Sequence, residues 1–457
     1  MELFGTAGIR GPVEEVTPAL ALAVGQAASA DGTAFVVGRD GRVTGPALEN
    51  AVVAGLESAG ADVERAGTVP TPALAFASQG RRGIMLTASH NPPPDNGIKV
   101  FVDGVEYDRE AEQRLEARVD DGTAAAGWDA WGEDVRADPL AAYREAVVEF
   151  AAGHGAAPDG MMVAVDCGTG MASLATPQVL TSLGADVRAL NANVDGHFSA
   201  RESKPTPETL ADLRAFVAGD AGNDPEGGVD LGIAHDGDAD RVVVIDGDGE
   251  VVHEDTVLAI LAEHYTHTSD AGDPVVVTTP NASARIDERV QAAGGRVERV
   301  RLGALHEGIA AARAAGGADT EVTFAAEPWK HIHTALGGWI DGVASAAVFT
   351  RLVASEGLAA LRDPVTERPY RKDDVRCPDD AKAAVMDRLE TDLPEPFPEA
   401  AVDTEHGVRL ELPDGGWVLV RPSGTEPYVR VYVESESVDD VVAAVIDVVE
   451  SAVAAET

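Results

Sequence analysis

One arrangement recurs three times along the chain, and it limits the fold more than any other feature. A short β-branched run comes first: Phe35-Val36-Val37, then Met162-Val163-Ala164-Val165, then Val275-Val276-Val277. A polar loop follows each: Gly38-Arg39-Asp40-Gly41, Asp166-Cys167-Gly168-Thr169-Gly170, and Thr278-Thr279-Pro280-Asn281. Next comes a stretch with helical apolar spacing, then a Gly and a fresh strand: Gly60-Ala61-Asp62-Val63, Gly184-Ala185-Asp186-Val187, and Gly294-Gly295-Arg296-Val297. Glycine suits that place, because helices often close with one left-handed residue. The unit is strand, loop, helix, strand, which predicts a sheet covered by helices. Its copies lie more than a hundred residues apart, so they are domains and not solenoid repeats.

We therefore expect three related α/β domains in tandem, over residues 1–145, 146–250 and 251–363. Asp363 to Pro369, with prolines at Pro364 and Pro369, reads as a linker. Residues 364–457 change texture. Strands around Gly416 to Glu434 and a helix from Val438 predict a smaller C-terminal α+β domain. A total of 457 residues accommodates such a set.

Charge excludes several functions. The chain has 78 acidic and 35 basic residues, a net charge of −43. Phosphate backbones and anionic lipid call for a basic surface, so we expect no nucleic-acid partner and no membrane docking. No uninterrupted apolar run reaches the ~18 residues of a membrane span. Met1 to Pro12 lacks the pattern of a secretion signal. Cys167 and Cys377 are too few for a disulfide framework and lack metal-ligand spacing, which fits a reducing, cytoplasmic setting. Lys99, Lys204, Lys330, Lys372 and Lys382 are the only lysines; the other basic residues are Arg. Such acidity suits a halophilic, salt-rich cytoplasm, where the Debye length falls to about 3 Å at 1 M. The alternative is an ordinary acidic protein.

Four stretches carry candidate chemistry. Thr87-Ala88-Ser89-His90-Asn91-Pro92-Pro93-Pro94-Asp95-Asn96-Gly97-Ile98-Lys99 follows the strand-like Ile84-Met85-Leu86. Ser89 then sits at a strand's C-terminal end, where α/β sheets place ligands. The prolines stiffen the loop, and His90 can orient a ligand or handle a proton. The alternatives for Ser89 are a helix N-cap or a turn residue. No G-x-S-x-G elbow supports a hydrolase. Asp236-Gly237-Asp238-Ala239-Asp240-Arg241 follows Leu231-Gly232-Ile233-Ala234. Its three carboxylates repel one another, and a hard divalent cation offsets that repulsion. An EF-hand fails here, since its sixth and twelfth positions hold Arg241 and Gly247. A solvated acidic turn remains open. Arg421-Pro422-Ser423-Gly424-Thr425-Glu426-Pro427, with Arg430 nearby, is a suitable cradle for a phosphate dianion. Phe4-Gly5-Thr6-Ala7-Gly8-Ile9-Arg10-Gly11 is a Gly-rich turn ending in a cation.

Together these stretches resemble the α-D-phosphohexomutases: phosphoglucomutases, phosphomannomutases and phosphoglucosamine mutases. The family's T-A-S-H-N-P and N-G-x-K correspond to Thr87–Pro92 and Asn96–Lys99, its D-G-D-x-D-R to Asp236–Arg241, and its R-x-S-G-T-E-P to Arg421–Pro427. The opening F-G-T-x-G-I-R-G is complete, and Asp195-Gly196-His197-Phe198 before Pro205-Thr206-Pro207-Glu208 also matches. The resemblance spans the chain. It implies three α/β domains plus the α+β domain around a central cleft, and a phosphohexomutase moving phosphate between the 1- and 6-positions of a hexose phosphate. It further implies a phosphoserine at Ser89, a hexose bisphosphate as intermediate and activator, and one Mg²⁺ per subunit on Ser89, Asp236, Asp238 and Asp240. Arg241 and Lys99 would flank the reacting group; His90, Arg10 and His331 would assist positioning or proton transfer. Glu327 would contact sugar hydroxyls. Arg421, Ser423, Gly424 and Thr425, with Arg430, would hold the non-reacting phosphate. The protein would be a monomer or homodimer.

Two stretches depart. Where the family reads G-E-x-S-G-H, this chain has Ala326-Glu327-Pro328-Trp329-Lys330-His331, with Trp329 and Lys330 replacing small residues. The E-P pair resembles archaeal phosphoglucosamine-mutase-like members. Arg301-Leu302-Gly303-Ala304 matches the family's R-T-x-V-G only in part. Two rivals are a sugar-phosphate phosphatase and a non-catalytic sugar-phosphate-binding protein. A kinase is disfavoured, because no G-x-x-x-x-G-K-[ST] loop occurs.

Overall fold

The three repeated runs fold as parallel strand pairs, each bridged by a helix. Ala34–Arg39 leads through helix Gly45–Ser58 to Asp62–Thr68, and Met162–Asp166 through Thr176–Leu183 to Asp186–Leu190. Asp273–Thr278 leads through Arg285–Ala292 to Arg296–Arg299. The β-branched residues that mark these strands (Val36, Val37, Val163, Val165, Val276) are shut off from solvent, which is the stabilising reason the runs form buried strands. Gly60, Gly184 and Gly294 all have positive φ, at 92°, 112° and 91°. A side chain at any of them would strain the exit from the helix.

The computed structural model describes residues 3–5, 8–219, 228–423 and 426–457. It divides into two compact units. One comprises Met1–Val257 and Thr323–Leu361; the other comprises Leu258–Val322 and Arg362–Thr457. Two sheets lie wholly within the first unit among the described residues. The larger has the strand order Phe4–Gly5, Gly8–Pro12, Asp95–Val102, Arg82–Leu86, Ala34–Arg39, Asp62–Thr68, Asp134–Arg136. The smaller runs Asp186–Leu190, Met162–Asp166, Leu231–His235, Val242–Ile245, Val251–Val252. Helix Gly342–Glu356 is buried from Gly342 to Val353, and its N-cap Asp341 accepts from the Ala344 amide. Next to it the antiparallel pair Ala325–Ile332, Ala326–His331 and Glu327–Lys330 forms the turn around Trp329.

In the second unit the C-terminal sheet is wholly antiparallel. Its order is Tyr370–Arg376, Tyr428–Glu434, Trp417–Pro422, Val408–Glu411, Ala401–Asp403. Helices Lys382–Asp392 and Val438–Glu456 supply Val385, Leu389, Val442, Val445 and Val449 to its core. The chain is thus α/β with a C-terminal α+β sheet. Among the described residues no helix is long and apolar enough to cross a membrane.

Candidate active site

Ser89 lies in the loop after strand Arg82–Leu86, and the aspartates lie in the loop after strand Leu231–His235. The Ser89 Oγ donates to Asp236 Oδ2 at 2.8 Å, and His90 Nδ1 is 3.4 Å from the same hydroxyl. Ser89 begins no helix. Its φ of 49° is a left-handed conformation, uncommon outside Gly and costly unless neighbours hold it. They do hold it. Its amide donates to Thr87 Oγ1 at 2.9 Å, and its carbonyl accepts from Arg42 Nη2 at 3.0 Å.

Arg42 fixes the whole loop. It also donates to the carbonyls of Asn91 (2.7 Å), Pro92 (2.6 Å) and Asp95 (3.0 Å). Its charge is balanced by Asp40, with Nε 3.0 Å from Oδ2 and both side chains fully buried. Sequence reasoning passed over Arg42, Asp40 and Thr71. The available clue was position: Asp40 and Arg42 follow strand Ala34–Arg39, which pairs in parallel with the strand that carries Ser89's loop. Gly97 of the N-G-x-K segment has a comparable reason. A Cβ there would lie 2.5 Å from the carbonyl oxygens of Ile9 and Thr87.

Asp236, Asp238 and Asp240 are buried at 1%, 0% and 1% exposure, which rules out a solvated turn. One ligand atom from each lies within 4.8 Å of the others. Thr71 Oγ1 donates to Asp238 Oδ2 at 2.7 Å, while Asp238 Oδ1 and Asp240 Oδ1 have no hydrogen-bond partner among the described residues. Buried carboxylate oxygens left so are costly, and a hard cation with oxygen ligands is the group that satisfies them. Donor type, spacing and orphaned oxygens all fit Mg²⁺.

Cations surround the trio. Lys99 Nζ lies 3.1 Å from Asp240 Oδ2 and 3.2 Å from Glu106 Oε1. Arg241 Nε is 3.8 Å from Asp236 and 3.9 Å from Asp240. Arg10, on strand Gly8–Pro12, buries Nε and Nη2 without a hydrogen-bond partner among the described residues. Burial pushes the Asp236 carboxyl well up, and the neighbouring Asp240 and Asp238 charges add to it. Burial acts on Asp240 too, but Lys99, Lys330, Arg241 and Arg10 outweigh it and hold that carboxyl below the usual range. Burial would lower Lys99; Glu106, Asp240 and Asp238 raise it instead. His90 is pushed down to about 2 by burial and by the Arg241 and Arg10 charges, so its imidazole is neutral near pH 7. The site pairs a hydroxyl, a metal-type carboxylate set and a cationic wall, as phosphoryl transfer requires.

The sugar-loop residues divide. Lys330 faces this group through a backbone bridge to Arg241, with Nζ 3.9 Å from Glu327. Trp329 takes a φ of 71° at the turn. His331 is fully buried. Its ring contacts are Ser345 Oγ (3.0 Å from Nδ1), Phe324 and His333. Neighbours on a strand point to opposite faces, so a strand that turns Lys330 outward turns His331 into the core. Burial lowers its pKa to about 3.

In the second unit, Arg421 and Arg430 sit directly opposite across two antiparallel strands. Arg430 Nη2 is 3.3 Å from Ser423 Oγ and 2.6 Å from Glu426 Oε2, and Arg421 Nη2 donates to Tyr432 Oη at 3.0 Å. Lys382, which sequence reasoning did not select, donates to the carbonyls of Ser423 and Glu426, both at 2.6 Å. Like charges facing each other in a sheet destabilise it unless an anion intervenes. Among the described residues both Nε atoms are buried without a hydrogen-bond partner, although Asp374 Oδ1 lies 3.8 Å from that of Arg430. The expected roles of Gly424 and Thr425 fall outside the described residues.

These features define a phosphoryl-transfer enzyme acting on a small phosphorylated molecule. The chain matches the phosphoglucomutase/phosphomannomutase models for alpha/beta/alpha domain I over residues 1–126, alpha/beta/alpha domain II over 141–249 and the C-terminal domain over 374–451. It is 41% identical to a phosphopentomutase of Thermococcus kodakarensis, over 95% of this chain and 94% of that protein. It is 42% identical to a probable phosphoglucosamine mutase of Methanopyrus kandleri, again over 95% and 94%. A solved phosphoglucomutase/phosphomannomutase family protein from Burkholderia thailandensis superposes with a TM-score of 0.82 at 26% identity, covering 99% of this chain and 97% of that one. The chain belongs to the α-D-phosphohexomutase family. It is an isomerase that transfers phosphate within a sugar phosphate.

Proposed function

We propose that this mutase works by a phosphoserine relay at Ser89. The observation that carries the reading is the Ser89 hydroxyl 2.8 Å from Asp236, inside a buried trio with two carboxylate oxygens left unsatisfied among the described residues. Phosphorylated Ser89 gives its phosphoryl group to a free hydroxyl of a hexose phosphate, forming a bisphosphate. After the bisphosphate turns over, its other phosphate returns to Ser89 and the isomer leaves. The exchange runs between the 1- and 6-positions, and a hexose bisphosphate serves as activator. One Mg²⁺ per subunit, held by Asp236, Asp238, Asp240 and an oxygen on Ser89, would supply charge neutralisation. Arg241, Lys99 and Arg10 offset the charge of a phosphoserine, about −1.5 to −2, within a chain already at −43. Arg42 keeps Ser89 in one orientation, and such preorganisation can be worth roughly 7–11 kcal/mol of barrier. The Arg421, Ser423 and Arg430 group takes the non-reacting phosphate, with Gly424 and Thr425 as its family-implied partners. Glu327 meets sugar hydroxyls.

A second reading concerns the sugar. Lys330 adds a basic side chain beside Arg241 where the family has a small residue. That disfavours the cationic amine of glucosamine phosphate and narrows the subsite toward neutral sugars, pentose phosphates among them; the Thermococcus relative supports this. Lys330→Gly is expected to raise the kcat/KM ratio of glucosamine 1-phosphate over pentose and glucose 1-phosphates by about tenfold, the scale of a one-group pocket change. An unchanged ratio contradicts the reading.

The setting we propose is a salt-rich cytoplasm. A melt in molar KCl should run several degrees above one in dilute buffer, because salt screens the self-repulsion of −43 charges. Equal melting temperatures would refute that setting.

A further inference from the structure

The large sheet of the first unit ends on strand Asp134–Arg136, whose three residues are all exposed. One side of it pairs in parallel with Asp62–Thr68, Val63 opposite Asp134 and Arg65 opposite Arg136. The bonds there run from Val63 N to Glu133 O and from Ala137 N to Arg65 O, both 2.9 Å. Strand alternation then commits Glu133, Val135 and Ala137 to the sheet, and turns the N–H and C=O of Asp134 and Arg136 outward.

We propose that a second copy of this chain docks here, pairing antiparallel about Val135 to continue the sheet. That register satisfies hydrogen bonding and charge together. Asp134 falls opposite the second copy's Arg136, and both are the outward-bonding residues, so they exchange two hydrogen bonds at each end. Their side chains share a face, acid against base. Val135, 58% exposed, meets its own copy at the axis. Edge strands usually repel a second copy by carrying like charges; this edge is complementary to itself instead. Arg65 lies 2.6 Å from Asp134, so charges alternate across the junction.

A three-residue strand is a small contact, and apolar surface is needed beside it. The preceding segment supplies it. Trp128 is 92% exposed and Trp131 is 56% exposed, with Trp131 Nε1 donating to Ala126 O at 3.3 Å. The segment is pinned, not loose. Ala126 N donates to Ser58 O and Gly132 N to Glu57 O, and a Cβ on Gly132 would lie 2.0 Å from Ala61 O. Two large aromatic rings held outward next to an open sheet edge form the centre of an interface.

The test is sedimentation equilibrium of the full chain in molar KCl, which screens repulsion between the copies. Wild type should give twice the chain mass at micromolar concentration. Arg136→Pro removes an outward N–H and a base without touching the bonds to Asp62–Thr68, and should weaken association by on the order of 100-fold. Val135→Glu places two like charges at the axis and should do the same. Both variants should keep the wild-type far-UV circular dichroism and turnover, since the strand lies outside the catalytic groups, and should lose the concentration dependence of the wild-type melting temperature. A monomeric wild type overturns the proposal. So does a dimer that survives both substitutions, which would assign the contact to another surface.

Discussion

Ser89→Ala should lower bisphosphate-dependent turnover by at least ~10³-fold, the scale seen when a covalent nucleophile is lost. The fold should persist. Arg42 holds the loop through the carbonyls of Ser89, Asn91, Pro92 and Asp95, and none of those bonds uses the serine hydroxyl. Only the bond to Asp236 and the weak contact with His90 are lost from the side chain. Circular dichroism and a melt against wild type separate lost chemistry from lost structure. Near-normal turnover in the variant would refute the relay. Release of inorganic phosphate by wild type, without isomerisation, would favour the phosphatase rival.

Divalent-metal removal should silence the enzyme and also soften it. Three carboxylates with ligand atoms within 4.8 Å repel one another, and charges at about 4 Å interact by about 4 kcal/mol at an effective dielectric of 20. Mg²⁺ at a hundred times its Kd stabilises a folded protein by about 2.7 kcal/mol, which is several degrees in Tm. Chelated protein should therefore melt several degrees lower than protein in excess Mg²⁺. Asp238→Asn keeps an acceptor for Thr71 Oγ1 and removes one buried charge. It should melt no lower than chelated wild type, show no Mg²⁺ shift, and lose most activity. Identical melts with chelator and with Mg²⁺ would contradict the metal reading on grounds independent of turnover.

Local pattern explains what could be read before the structure was considered. Val36, Val163 and Val276 announce their strands because burial on both faces demands β-branched residues there. Gly60, Gly184 and Gly294 announce helix exits because only glycine takes their φ cheaply. Ser89 and the aspartates were legible because loop chemistry stays together in the chain. Arg42 was not legible. The loop carbonyls it holds lie 47 to 53 residues away, and backbone carbonyls carry no sequence identity. The burial of His331 against Ser345, Phe324 and His333 could not be read, because a motif gives position along a strand, while facing depends on which neighbour the sheet turns inward. Strand Asp134–Arg136 escaped notice because an exposed Asp-Val-Arg has no apolar alternation to reveal it.

The most direct test is peptide mapping by mass spectrometry after brief incubation with a hexose bisphosphate and Mg²⁺. One added phosphoryl group on the peptide containing Ser89, removed again on mixing with excess sugar monophosphate, is the predicted result. A fully active enzyme whose Ser89 stays unmodified, or carries a phosphoryl group that never leaves, would contradict the account.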